Sequence, residues 1–177
     1  MILQFFGVYP LVVRVLGRMS PRSFFRGART ILLTAFSTSS SNATLPTTLQ
    51  VTQRELGVSK EVCGFVLPLG ATLNMNGTAL FEGVTVLFIA QVFGVSLDLS
   101  AQAMLLVICV ISAVGAAGTP SSSIPLLVVI LQSLGIPGEG IAIVLGVDRV
   151  LDMCRTTLNV AGDVVTAVVI QRLEGLP

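Results

Sequence analysis

The sequence predicts an all-α membrane protein built as an inverted repeat, in which a re-entrant helical hairpin is followed, twice, by a transmembrane helix broken by polar residues. Three observations carry that prediction. The first is composition: of 177 residues, 53 % are hydrophobic and 11 % charged, with a mean hydropathy of +0.93, against about 25 % charged in soluble domains. The second is that the apolar segments come in two lengths, some long enough to cross a bilayer and some only half as long. The third is a pair of Ser-Ser-Ser runs, beginning at Ser39 and Ser121 and so 82 residues apart. Each lies between two half-length segments and ahead of one full-length segment, the signature of an internal repeat.

Composition also excludes. Ten Lys+Arg against nine Asp+Glu leave a net charge of +1, so there is no basic field to hold nucleic acid. Histidine and tryptophan are absent, which removes the commonest general base and the commonest zinc ligand. No base partners any of the serines, and that argues against a membrane enzyme. Cys63, Cys109 and Cys154 are far apart and each sits in an apolar stretch. Such spacing offers neither a disulfide framework nor a CxxC site and predicts three buried, inert thiols.

Residues 1–13 are apolar except for Gln4, and Arg14, Arg18, Arg22, Arg26 and Arg29 follow with no acid among them. Apolar first and basic second is the reverse of a signal peptide. Thirteen helical residues rise about 20 Å, against a hydrocarbon core of about 30 Å. Residues 1–27 are therefore expected to be the end of a preceding transmembrane helix and a basic linker, which the positive-inside rule places in the cytoplasm. The chain is expected to be the C-terminal part of something longer.

Residues 28–177 are expected to form the core: a hairpin over 28–58, a helix over 61–97, a hairpin over 100–136 and a helix over 139–173. The apolar stretches 28–36, 101–115 and 124–134 give only about 13 to 22 Å of helix, too short to cross. Where half-spans meet, the sequence turns to Ser37-Thr-Ser-Ser-Ser-Asn-Ala-Thr-Leu-Pro46 and to Gly118-Thr-Pro-Ser-Ser-Ser-Ile-Pro125. Non-helical backbone at membrane depth is tolerated only inside protein or beside a water-filled cavity, and polar hairpin tips meet that condition. Small hydroxyl residues also lubricate helix packing in membranes. Their pairing at corresponding places favours a binding site at the midplane, as in secondary transporters.

The first full span, 62–95, is broken by Leu69-Gly-Ala-Thr-Leu-Asn-Met-Asn-Gly-Thr78. Asn74 and Asn76 supply amide oxygens, and Gly77 lets the helix open so that freed carbonyls can hold a hard cation such as Na⁺. The same pattern serves as a plain helix breaker. The second full span, 141–170, contains the run from Asp148 to Asp163, with three acids and two bases. Facing lipid, these would cost about 12 to 17 kcal/mol together on insertion scales. At about 100° per residue, Asp148, Arg149, Asp152, Arg155, Thr156, Asn159 and Asp163 fall within an arc of about 120°. The acids exceed the bases by one charge, which invites a cation. Asp152 or Asp148 can pair with Arg155 inside the bundle. Alternatively, Arg155 suits a carboxylate through its planar fork and Asp152 an ammonium, which together describe a pocket for a zwitterion with an extra acid group.

These motifs resemble the dicarboxylate/amino acid:cation symporters, the glutamate transporter family, over about residues 11–172. The serine-rich tip at Ser39 to Pro46, the break Asn74-Met75-Asn76-Gly77-Thr78, the second tip from Gly115 to Pro125 and the helix from Asp148 to Asp163 match the family's four motifs in order. The resemblance implies a transport core moving by an elevator-like shift against separate scaffold helices, in a homotrimer in the cell's inner (plasma) membrane. It implies a cation-coupled symporter for acidic amino acids such as aspartate or glutamate, coupled to Na⁺ with protons as the alternative. C4-dicarboxylates, neutral amino acids and a non-transporting fragment lacking the scaffold stand as alternatives. Ser41, Thr78, Asp152, Arg155, Thr156 and Asn159 match substrate-contacting positions, with Asp152 on the amino group and Arg155 on the side-chain carboxylate. Gly70, Asn74, Asn159 and Asp163 match one sodium site, and Thr72 with backbone around Ala113 to Ala116 matches a second.

Two departures bear on the site. Asn76 stands where the family has Asp, which removes a charged ligand from a third sodium site. Ser39 stands where some members carry arginine at the hairpin tip, and Arg149 is the candidate for supplying that charge.

Overall fold

The computed structural model describes residues 1–175, so the last two residues of the expected 28–177 core lie outside the described residues. Every regular element among the described residues is helical. Pro10 has no N–H to offer the carbonyl one turn back, and the chain ahead of it forms a π-helical turn, Gln4–Val8, leading into α1 (Tyr9–Val15).

Helix α2 (Pro21–Thr38) starts ahead of the apolar stretch at Ala28, because Ser20 caps it, accepting from Ser23 N at 3.1 Å, and Pro21 is pre-set for the first helical position. Arg22 and Arg26, expected in a linker, are thus helical and exposed. Phe24, Ala28, Ile31 and Ala35 recur at helical spacing and are buried. Helix α3 (Ser41–Leu56) follows after only Ser39 and Ser40, so α2 and α3 pack side by side as a hairpin.

Next come α4 (Lys60–Leu73) and α5 (Asn76–Val92), interrupted at Asn74 and Met75, whose backbone leaves the helical region. Together they are long and apolar enough to cross a membrane. Beyond α5 the chain turns at Gly94, with φ at +67°, a conformation that costs glycine little. Then α6 (Leu99–Gly115) and α7 (Ser123–Ser133) rise about 26 and 17 Å, both short of a hydrocarbon core of about 30 Å. A short 3-10 turn, Gly138–Gly140, leads into α8 (Ile141–Leu173), whose 33 residues rise about 50 Å.

Both interhelical tips turn by the same device. Ser39 has φ +50° and Ser121 φ +57°, a left-handed conformation uncommon outside glycine. The tips also meet: Ser40 Oγ and Asn42 N donate to the Gly118 carbonyl at 2.6 and 3.1 Å.

The apolar interior is in two parts. One gathers α1 to α4 around the C-terminal half of α8, with Phe24, Ile31, Leu67 and Leu158 fully buried. The other joins α5, α6 and α7 to the start of α8 through Ile89, Leu127, Leu131 and Val144. Gln171 accepts from Ser59 N at 2.9 Å, tying the end of α8 to the start of α4. Gly140 lies so close to Ile89 and Phe93 that a Cβ there would meet them at 2.5 and 2.9 Å, which fixes the other end beside α5. Thus α8 runs antiparallel to α4 and α5, past both apolar parts, with the polar site between them. Large apolar side chains such as Phe65, Leu106, Ile111 and Val129 remain exposed, the surface a lipid solvent accepts.

Cys63 and Cys109 are buried, but Cys154 is exposed, which corrects the expectation of three buried thiols. It lies about 200° round α8 from Asp152 and so faces away from the neighbouring helices.

Candidate functional site

The polar face of α8 is turned inward. Asp148, Asp152, Arg155, Thr156, Asn159 and Asp163 are each between 1 and 5 % exposed, which for charged side chains requires partners. Arg149 departs from the expected seven: it is exposed and is not among the residues lining the site. One residue after Asp148, it lies about 100° further round the helix, beyond the face that α5 and α7 cover.

At the centre, an Arg155 Nη donates to Asp152 in an ion pair, and the other Nη donates to Ser123 Oγ. The guanidinium also sits 4.7 Å from the centroid of the Phe81 ring, a cation–π contact. The second oxygen of Asp152 accepts from Ser121 N at 2.9 Å, at the second hairpin tip, and Ser121 Oγ donates to Asp148 at 3.4 Å. The left-handed serine therefore ties that tip to two carboxylates of α8. The other oxygen of Asp148 and the hydroxyl of Ser39 are buried with no hydrogen-bond partner.

All six expected substrate residues, Ser41, Thr78, Asp152, Arg155, Thr156 and Asn159, line one cavity together with both hairpin tips. It leaves about 10 Å³, room for about one water molecule. The interlock with α5 is tight: Asn159 Oδ1 accepts from Gly77 N at 2.7 Å, and Asn159 Nδ2 donates to Thr78 Oγ1 at 3.1 Å. A Cβ on Gly77 would meet the Arg155 carbonyl at 2.7 Å. Gly77 is therefore needed for close approach, whereas the sequence reading assigned it to opening the helix, which happens at Asn74 and Met75.

Beside this cavity, Asn74 Nδ2 donates to Asp163 Oδ1 at 2.9 Å, and a Cβ on Gly70 would meet that same oxygen at 2.5 Å. Gly70, Asn74 and Asp163 thus converge, and Asn159 lies one turn before Asp163 on α8, bonded instead to Gly77 and Thr78. One carboxylate with amide and backbone oxygens is a hard donor set. No cluster of three His, Cys, Asp or Glu able to hold a metal exists among the described residues. Thr72 is not brought in: it is exposed, and its hydroxyl donates back to the Leu69 carbonyl at 2.9 Å.

Sequence reasoning missed Glu82. It is fully buried in α5, with Oε1 accepting from Ser112 Oγ at 3.3 Å and Oε2 without a hydrogen-bond partner. A lone acid in an apolar span, costing about 2.5 to 3.5 kcal/mol if lipid-facing, was the signal. A larger cleft of about 610 Å³ opens between α5 and α6, but apart from Asn74, Asn76 and Gln102 its lining is apolar or small, and it holds no charged side chain.

The model of the sodium:dicarboxylate symporter family matches residues 1–173. The chain belongs to that family. Among the symporter family's curated relatives, it is 42 % identical over 168 residues to excitatory amino acid transporter 4 of Mus musculus, covering 95 % of this chain and 30 % of the relative. It is 42 % identical over 165 residues to excitatory amino acid transporter 2 of Homo sapiens, covering 93 and 29 %. With neutral amino acid transporter B(0) of Mus musculus the identity is 43 % over 164 residues, covering 93 and 30 %. The chain thus spans about 30 % of the length of these symporter-family relatives.

Proposed function

We propose that this chain is the transport core of a sodium-coupled symporter for acidic amino acids such as aspartate or glutamate. The observation that carries the proposal is the buried pair of Asp152 and Arg155 in a cavity lined by hydroxyls. An aspartate has an ammonium to offer Asp152 and a carboxylate to offer Arg155. Its arrival parts the pair while giving each member a new partner, so no buried charge is stranded, which is the costly alternative. Ser41 and Thr156 supply hydroxyls, and Thr78 and Asn159 close the cavity on the α5 side.

Na⁺ sits, in this reading, between Asp163, Asn159, Asn74 and the Gly70 backbone, its charge matching the Asp163 carboxylate, which bonds to the Asn74 amide. A second Na⁺ at Thr72 and the backbone around Ala113 to Ala116 draws its support from family resemblance alone, as does a proton in place of Na⁺. The hairpins α2–α3 and α6–α7 enter the bilayer without crossing it, and α6–α7 is the gate. The apolar cleft and the exposed apolar faces pack against scaffold helices of a longer chain in a trimer, and the core shifts against them within the plasma membrane. The arginines from Arg14 to Arg29 mark the cytoplasmic side.

A neutral substrate is the second reading, favoured by the 43 % identity to a neutral amino acid transporter. The buried Arg155 argues against it, and Asp152 argues against a dicarboxylate without an amine. The test is thermal unfolding of the purified protein with aspartate, glutamate, succinate and alanine, each with and without Na⁺. Stabilisation by aspartate or glutamate only in Na⁺ supports the proposal; stabilisation by alanine or succinate alone overturns it.

A further inference from the structure

We propose that Tyr9 is a positioning residue of the cation site, holding the break between α4 and α5 against α8 so that Asn74 stays in register with Asp163. The inference rests on the reading of Asp163 and its neighbours as cation ligands.

Tyr9 comes from α1, remote in sequence from the site, and is 5 % exposed. Its hydroxyl lies 3.0 Å from the Leu158 carbonyl of α8 and 3.1 Å from Asn76 Oδ1 at the break, and it accepts from Gln4 Nε2 at 3.3 Å. A phenol has one hydrogen to give, and here it lies between two acceptors on two different helices. What lets the groups meet is Gly162. A Cβ there would stand 2.8 Å from the Tyr9 hydroxyl, 3.0 Å from Asn76 Nδ2 and 3.1 Å from Asn74 Nδ2. The phenol and both amides therefore fill the space of one missing side chain, next to Asp163.

The side-chain tethers that hold the break to its neighbours run from Asn74 to Asp163, from Met75, Gly77 and Thr78 to Asn159, and from Tyr9 to Asn76. All but the last run through the side chains of Asp163 or Asn159, whose oxygens a cation would need. The Tyr9 tether passes through neither side chain, so it persists when an ion takes those oxygens and keeps the freed backbone from drifting.

The experiment measures unfolding temperature of the purified chain, in nanodiscs of neutral phosphatidylcholine, against NaCl at constant ionic strength made up with choline chloride. Tyr9→Phe keeps the ring and removes the tie. The half-stabilising Na⁺ concentration is expected to rise about 2- to 12-fold, the range for one net hydrogen bond, while aspartate affinity at saturating Na⁺ returns to that of the unaltered chain. Asn76→Ala is expected to shift it similarly, and Tyr9→Phe with Asn76→Ala no further than either alone. A merely structural tie would lower the unfolding temperature equally at every Na⁺ concentration. That result, or additive shifts in the double variant, overturns the proposal. If the unaltered chain itself ignores Na⁺, the cation reading fails and the proposal with it.

Discussion

Asp152 and Arg155, one turn apart on α8, form the one ion pair among the described residues, with side chains only 2 and 3 % exposed. In that setting neither charge can lose its partner cheaply, and anything that binds between them must replace both.

Selectivity is the first consequence. On the proposed assignment, Arg155→Cys leaves Asp152 to hold an ammonium but removes the fork that would take an acidic side chain. Losing one partner of a buried charge pair costs about 3 to 5 kcal/mol, or two to four decades of affinity. Aspartate binding should fall by that amount in an isothermal titration, and serine or alanine should gain. Unchanged aspartate affinity would sink the assignment.

Asp152→Asn separates amine from dicarboxylate. It should weaken aspartate far more than succinate, which has no ammonium to place. The altered chain should also hold the second hairpin tip less firmly, since the carboxylate that accepts from Ser121 N loses its charge. Competition binding of the two ligands, with hydrogen exchange around residues 116–122, measures both; equal losses for the two ligands would make Asp152 structural.

Much of this was legible in the sequence, because bilayer physics acts on composition and period. The helices follow from apolar runs, the break from Asn74 to Gly77 punctuates one span, and a period of about 100° brought Asp152, Arg155, Asn159 and Asp163 together. What escaped depends on partners far along the chain. Tyr9 is one aromatic in an apolar run, and only folding brings its hydroxyl to Asn76. Phe81 reads as core until Arg155 lies against it. Arg149 sat at the rim of the arc, where angle alone does not decide which side a neighbouring helix covers.

Gly70→Ala tests the contact between α4 and Asp163. The added Cβ meets Asp163 Oδ1 at 2.5 Å and its Cγ at 2.7 Å, so the carboxylate must move. Alanine favours the helix by up to about 1 kcal/mol, and overpacking costs about 1 to 3 kcal/mol. The expected result is a chain that still folds but needs at least about tenfold more Na⁺ for half-maximal stabilisation. A Na⁺ response like that of the unaltered chain would remove Gly70 and Asp163 from the cation site.

Asp98 caps α6 outside the membrane-spanning segments, accepting from Ala101 N at 2.7 Å and from Ser100 Oγ at 2.8 Å. Those bonds, the backbone one foremost, hold its carboxyl below the ordinary value of 3.8. With the folded pKa depressed, its contribution is present above the unfolded value and is lost as pH falls through the folded one. Hydrogen exchange in the first turn of α6 should accelerate as pH drops below about 4, after correction for intrinsic rates, and Asp98→Asn should abolish that dependence while keeping the cap.

Coupling is tested at Asn76, where the resemblance to the family implies an aspartate. The amide accepts from Tyr9 at 3.1 Å beside the Asp163 cluster, so the position is held next to a carboxylate without adding charge. Asn76→Asp keeps that acceptor and adds a negative charge at a half-buried position beside the Asp163 carboxylate. An unpaired carboxylate there is costly and a cation strongly attracted, so the new anion and a Na⁺ should enter together. Substrate affinity in the unaltered chain should therefore depend on Na⁺ less steeply than in the variant. Titrating aspartate affinity over a range of Na⁺ concentrations and comparing the log–log slopes measures the difference, with the variant's slope expected to rise by about one. An unchanged slope, with both chains folded, would mean that this position either holds its cation without the carboxylate or holds none with it.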